Sequence, residues 1–200
     1  MTVLIPELPL TLVHALERRL VTATAVAASP FTGSEEVQDW GGEWWDYGIE
    51  MARTTGRDGR RLSAFLAALG GARGRFLFRD PTIRQPGSTL APQVAGGFQN
   101  GNQLITAGWP PFSTPLFTGD FFSIGTGAQT RLHQLTADLV TDEAGEATLA
   151  FVPRLRLSPA DGTPLEIAAP AVVLRLTAPV ATRISRAESF LFTLSAREAL

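Results

Sequence analysis

Three of the four tryptophans fall within eleven residues, in QDWGGEWWDYG (38–48), as Trp40, Trp44 and Trp45. The fourth, Trp109, closes QLITAGW. Aromatic faces at this density can stack sugars or bases, fill a subunit interface, or fill a core. The other residue types that carry chemistry offer less. The two histidines, His14 and His133, show no HxH or HExxH spacing, so no histidine metal site is expected. His133, in RLHQL, reads as a polar or half-buried strand position. Cysteine is absent, which excludes thiolate ligands, disulfides and a cysteine nucleophile. No GxSxG elbow anchors a serine triad. The carboxylate pairs Glu35-Glu36 and Asp142-Glu143 sit at predicted strand ends or turns, where solvation accounts for them. GGARGR (70–75) follows a helix and precedes a strand, the reverse of a phosphate cradle, whose amides open a helix. Its glycines read as a helix stop. No catalytic residue, cofactor site or metal site is expected, and no enzymatic activity.

The whole chain narrows the partners. Two hundred residues suit one domain, or one domain carrying an insertion. A net charge of -2 gives no basic field for nucleic acid. No apolar run reaches the ~20 residues of a membrane helix. The opening MTVLIPELPLTLVHALERR lacks a basic start and is broken by prolines, so no secretory leader is expected. Neither nucleic acid nor a membrane is an expected partner.

The elements that must position the tryptophans are mostly strands. LTLVHALERRL sets Leu12, Val13, Leu16 and Leu20 near helical spacing, while VTATAVA alternates and is β-branched. Extended structure is predicted over about 19–27, with a short helical turn before it as the alternative. Residues 35–53 read as a hairpin around Gly41-Gly42, in a bulged form that pairs Trp40 with Trp44. Trp45, Tyr47, Ile49 and Met51 then face a core, and Trp40 and Trp44 the opposite side. Leu62, Phe65, Leu66 and Leu69 form one apolar stripe, predicting a helix over about 58–69 with Asp58 as N-cap and a stop at Gly70-Gly71. The strand GRFLFRD follows. Residues 81–117 read as a long loop with one strand, QLITAGW. DFFSIG, RLHQLTADLVT and EATLAFVPRL, separated by turn signals, predict a small barrel or meander over 118–168. VVLRLTA and ESFLFTLSA complete the chain. The fold class is mainly β: a β-sandwich-like domain (1–80 plus 169–200) with one helix, and an inserted loop and small barrel (81–168).

SPFTGSEEVQDWGGEWWDYGIEM, followed by RLSAFLAALGGARGRFLFRDP, resembles the opening half of a class of tailed-phage tail proteins. AGWPP (107–111), GDFFSIG (119–125) and RLHQLTADLVTDEAGEATLAFVPRLRLSPADG are similar to later parts of the same class and to small β-barrel modules of virion proteins. The likeness spans about residues 29–165. It implies a virion structural protein of the tail tip, a distal tail protein, with related parts in gene transfer agents. Such proteins form a ring, usually a hexamer, joining the tail tube protein to baseplate hub or tail-tip proteins. Residues 1–28 depart from the family pattern. The candidate interface residues are Trp40, Trp44 and Trp109. The alternative from a different class is a carbohydrate-binding module at the tail tip, with those tryptophans as stacking faces. A hydrolase acting on the host envelope lacks a motif.

Overall fold

The computed structural model describes residues 5–9, 13–83 and 89–199. It is mainly β, with two sheets and one α-helix among the described residues. The chain opens with two long strands, β1 (Val13–Ala28) and β2 (Glu35–Met51). A two-residue strand, β3 (Thr54–Thr55), leads into α1 (Gly56–Ala68), and β4 (Phe76–Arg79) follows. Six strands then make the second sheet: β5 (Gln93–Val94), β6 (Gly101–Ala107), β7 (Phe121–Ile124), β8 (Arg131–Leu135), β9 (Ala147–Leu155) and β10 (Leu165–Glu166). The chain returns through β11 (Ala171–Leu176), β12 (Thr182–Ile184) and β13 (Ser189–Glu198).

The first sheet runs β1-β2-β13-β11-β4, with β12 and β3 alongside the start of β13. Its core face is the one the alternation predicts. Trp45, Tyr47, Ile49 and Met51 of β2 are all buried, with Phe192, Leu194 and Ala196 of β13 and Phe76 and Phe78 of β4. Leu62, Leu66 and Leu69 press the stripe of α1 into the same cluster. The helix begins two residues before the predicted Asp58. Thr55 is the N-cap, and Asp58 lies in the first turn, where its charge suits the positive end of the helix dipole. Gly70 ends the helix in the left-handed conformation (φ 63°), as the Gly-Gly stop predicts.

Gly59 fixes how closely α1 sits on the sheet. A Cβ there would lie 2.2 Å from the Phe190 ring. Alanine ordinarily stabilises a helix interior by about 1 kcal/mol over glycine. Here the clash must displace a buried ring stacked on Phe192 (centroids 6.1 Å apart), and overpacking of that kind costs about 1–3 kcal/mol. Gly59→Ala should therefore lower stability, by roughly 1 kcal/mol net. Urea denaturation checks this, and a stabilised variant would show that the helix can ride outward freely.

The second sheet runs β10-β7-β8-β9-β6-β5 and nearly closes. Its two edge strands meet through Val94 N–H to Thr163 O (2.9 Å), Gly162 N–H to Val94 O (2.9 Å) and Leu165 N–H to Pro92 O (2.9 Å). Closure satisfies edges that would otherwise present unpaired amides. All six strands lie between β4 and β11, which pair directly, Arg79 opposite Ala171. The barrel thus occupies the place of a hairpin loop. Of the segment read as a long loop (81–117), residues 84–88 lie outside the described residues, and the rest supplies β5 and β6 to the barrel. RLHQLTADLVT is shorter as a strand than predicted, ending at Leu135.

Candidate assembly interface

The predicted hairpin at Gly41-Gly42 does not form. β2 runs straight through both glycines as one strand, and its partner is β1, which is extended from Val13. The helical-turn alternative fails over Val13–Leu20 for the same reason, and Leu12 lies outside the described residues. The real hairpin turn is SPFTGS (29–34), closed by Ser29 N–H to Ser34 O (2.8 Å) and Gly33 N–H to Ser29 O (2.9 Å). Gly41-Gly42 instead makes a bulge. Thr22 faces Glu43 and Thr24 faces Asp39, so β2 carries two extra residues. Gly41 is left-handed (φ 69°), and its N–H donates to Asp39 Oδ1 (2.7 Å). Gly42 leaves room for a ring: a Cβ there would lie 3.3 Å from the Trp44 indole and 3.0 Å from Ala23 Cβ.

This register separates the tryptophans. Trp40 and Trp44 share one strand and are not a cross-strand pair. Trp44 is half-buried against Gly42, under the Arg197 guanidinium 4.9 Å from its ring. Arg197 is itself held by a bidentate pair to Asp46 (2.8 and 3.2 Å), which raises its pKa further above the usual arginine value. The chain therefore covers Trp44 itself. Trp40, in the bulge, stays 71% exposed. Trp109 is not an interface residue of this chain's surface. Past the end of β6 the chain turns at Gly108 (φ 90°) and drops the Trp109 indole into the barrel core, 4% exposed, its Nε1–H donating to Thr106 Oγ1 (2.8 Å). No single stacking platform joins the three.

Around Trp40 the β1–β2 ribbon is exposed on both faces from about residue 22 to residue 40. There each strand pairs only with the other, because β13 joins β2 only over Asp46–Glu50. Val26, Phe31, Val37 and Trp40 are all exposed along it, Phe31 at the tip to 95%.

The root of the ribbon is tied to the barrel by a set of contacts that sequence reading missed. Trp45 Nε1–H donates to Leu132 O (3.0 Å), and its ring tilts against Phe121 (6.1 Å). Arg154 N–H donates to Glu43 Oε2 (2.7 Å), and Arg156 Nη2 donates to Glu43 O. Arg18 pairs with buried Asp80 and lies over the Phe121 ring (4.2 Å). At the centre is Glu198, 1% exposed, which accepts Trp45 N–H (3.3 Å) and faces Arg156 (3.7 Å) and Arg131 (3.9 Å). Burial pushes its carboxyl above the usual range, opposed by Arg156, the Trp45 N–H and Arg131. The one signal available in sequence was Phe121-Phe122, two adjacent large apolar side chains that a strand must send to opposite faces, where alternation would suit a strand with one wet face.

His133 is also placed differently from its sequence reading. It is 3% exposed inside the barrel, stacked on Phe122 (5.3 Å) and edge-on to Phe151 (4.8 Å), with Nδ1 2.8 Å from Pro153 O. Among the described residues no group of three His, Asp or Glu side chains is placed to hold a metal ion. No helix of the described residues is long and apolar enough to cross a membrane. Compared with protein-family models and with curated proteins, the chain finds no match.

Proposed function

We propose that this chain is a structural protein of a phage-like tail tip, a distal tail protein whose copies close into a ring between the tail tube and the baseplate. The observation that supports this reading best is the free half of the β1–β2 ribbon. Two-stranded ribbons are marginal alone in water, and this one has open edges and four exposed apolar side chains. Such a ribbon is stabilised by lying on another surface. A second copy supplies one at no cost in new sequence, through a head-to-tail contact that closes by rotation. The family resemblance gives six as the number of copies. The ring domain meets its neighbours through the ribbon, and the barrel projects as a module toward the hub.

Wild-type protein should elute as a closed multiple of the 21.4 kDa chain in size-exclusion light scattering. Phe31→Asp combined with Trp40→Asp should reduce it to single chains while circular dichroism stays unchanged, because neither side chain belongs to either core. A wild-type protein that is monomeric at every concentration, and absent from purified particles, would sink the reading.

A further inference from the structure

A cleft of about 250 Å³ opens on the barrel between β7–β8 and the chain following β9. Arg131, His133 and Arg156 supply polar lining, Leu155, Leu157 and Pro159 an apolar wall, and no carboxylate lines it. The two guanidiniums are only partly engaged. Arg131 Nη1 donates to Ala128 O (3.2 Å) and Thr130 O (3.0 Å), and Arg156 Nη2 to Glu43 O. Arg131 Nη2 and Arg156 Nε and Nη1 make no hydrogen bond among the described residues. Behind them Glu198 faces both cations at ion-pair distance and Glu43 adds a second carboxylate near Arg156, but neither lines the cleft, whose own wall carries two cations and no anion. His133 adds the opposite kind of group. The Pro153 carbonyl can only accept, so Nδ1 carries the proton and Nε2 is a bare acceptor. Burial keeps that ring neutral at pH 7, its pKa pushed down to about 4.

Planar donors for an anion, one neutral acceptor for a hydroxyl and an aliphatic wall for C–H groups together describe an acidic sugar. We propose that this cleft binds one hexuronic acid ring, its carboxylate on Arg131 and Arg156 and a hydroxyl donating to His133 Nε2. Arginine forks match a carboxylate in two dimensions, which a neutral sugar cannot exploit. The volume lies below the roughly 300–1,000 Å³ of drug-sized pockets, so the cleft takes a single ring of a longer chain. The ligand class differs from stacking on tryptophan, since none lines the cleft. The inference is independent of ring assembly, because binding is read on the barrel whatever the number of copies.

The test is an NMR titration of the ¹⁵N-labelled full chain with glucuronate, glucose, acetate and inorganic phosphate. Glucuronate should shift the amides of Arg131, His133 and Arg156 to Ser158 saturably, with millimolar affinity. Glucose and acetate should bind at least about tenfold more weakly, the discrimination expected from one good charge-assisted contact. Leu157→Trp, which fills the cleft from an exposed position, should weaken glucuronate binding by about the same factor without altering the unfolding midpoint. No saturable shift with glucuronate overturns the proposal. Equal binding of glucose removes the acidic class, and equal binding of phosphate leaves a plain anion site; either result also overturns it.

Discussion

Replacing Glu198 with alanine should cost the fold about 3 kcal/mol. The carboxylate is 1% exposed and holds three groups together: the Trp45 N–H, Arg131 and Arg156. Removing one partner of a buried ionic group costs about 3–5 kcal/mol, because the opposite charges remain without compensation. The lower end applies here. Arg131 and Arg156 keep 19% and 25% of their side chains exposed, so water can partly solvate them once the carboxylate is gone. Glu198→Gln should cost less, about 2 kcal/mol, since the amide oxygen still accepts Trp45 N–H although the two cations lose their counter-charge. Burial already opposes the charged carboxylate, which reduces the penalty for a neutral group. Urea denaturation of both variants at pH 7 measures the difference. A loss under 1 kcal/mol for the alanine variant would mean that the long ion pairs do not bind the barrel to the sheet.

His133 should make the protein acid-labile. Its folded pKa is pushed down to about 4 from 6.5, chiefly by burial, with the Pro153 hydrogen bond opposing. The unfolded chain takes up its proton first as pH falls. The stability contributed by the neutral ring is therefore complete above pH 6.5 and is lost progressively down to about pH 4. At about 1.4 kcal/mol for each pH unit, the loss approaches about 3 kcal/mol. Glu198 acts in the opposite sense. Its folded pKa is raised, so its contribution is complete below the ordinary value of 4.5 and is lost as pH rises through the folded value. The two effects are separated by His133→Phe, which keeps a ring against Phe122 and Phe151 and removes the titration. Denaturation between pH 7 and pH 4 should show wild type losing about 3 kcal/mol relative to that variant. A constant difference across the range would mean that His133 protonates without cost in the folded chain.

The parts of the fold legible in sequence are those decided locally. Period two at Trp45, Tyr47, Ile49 and Met51 gave the core face of β2, and the stripe Leu62, Leu66 and Leu69 gave that of α1. The Gly41-Gly42 pair was ambiguous because a two-glycine turn and a bulge need the same backbone freedom. The choice rests on a partner some twenty residues away, since β1 is long enough to pair with all of β2 and leaves no strand for an internal hairpin. His133 was misread for a related reason. Alternation gives a strand one wet face, but β8 buries side chains on both: Leu132 joins the core of the long sheet while His133 and Leu135 lie in the barrel. Trp109 was misplaced because one glycine, Gly108, redirects the chain after β6. Trp40 is exposed, away from the core as its phase suggests, and the equally exposed tip residue Phe31 carries no such signal, since an aromatic in a turn has no periodicity.

The wall formed by β7 and β8 has a mechanical consequence. Phe121 and Leu132 leave the barrel to complete the other core, while their neighbours Phe122 and Leu135 complete the barrel's own. The same two strands thus belong to both bodies, with no swivel between them. A pull on the barrel is borne at once by the core of the long sheet, where Trp45 meets Phe121 and Leu132, so load passes to that sheet as through a welded bracket. The two bodies should also lose their order in a single step, because the barrel cannot melt without opening the core beside it.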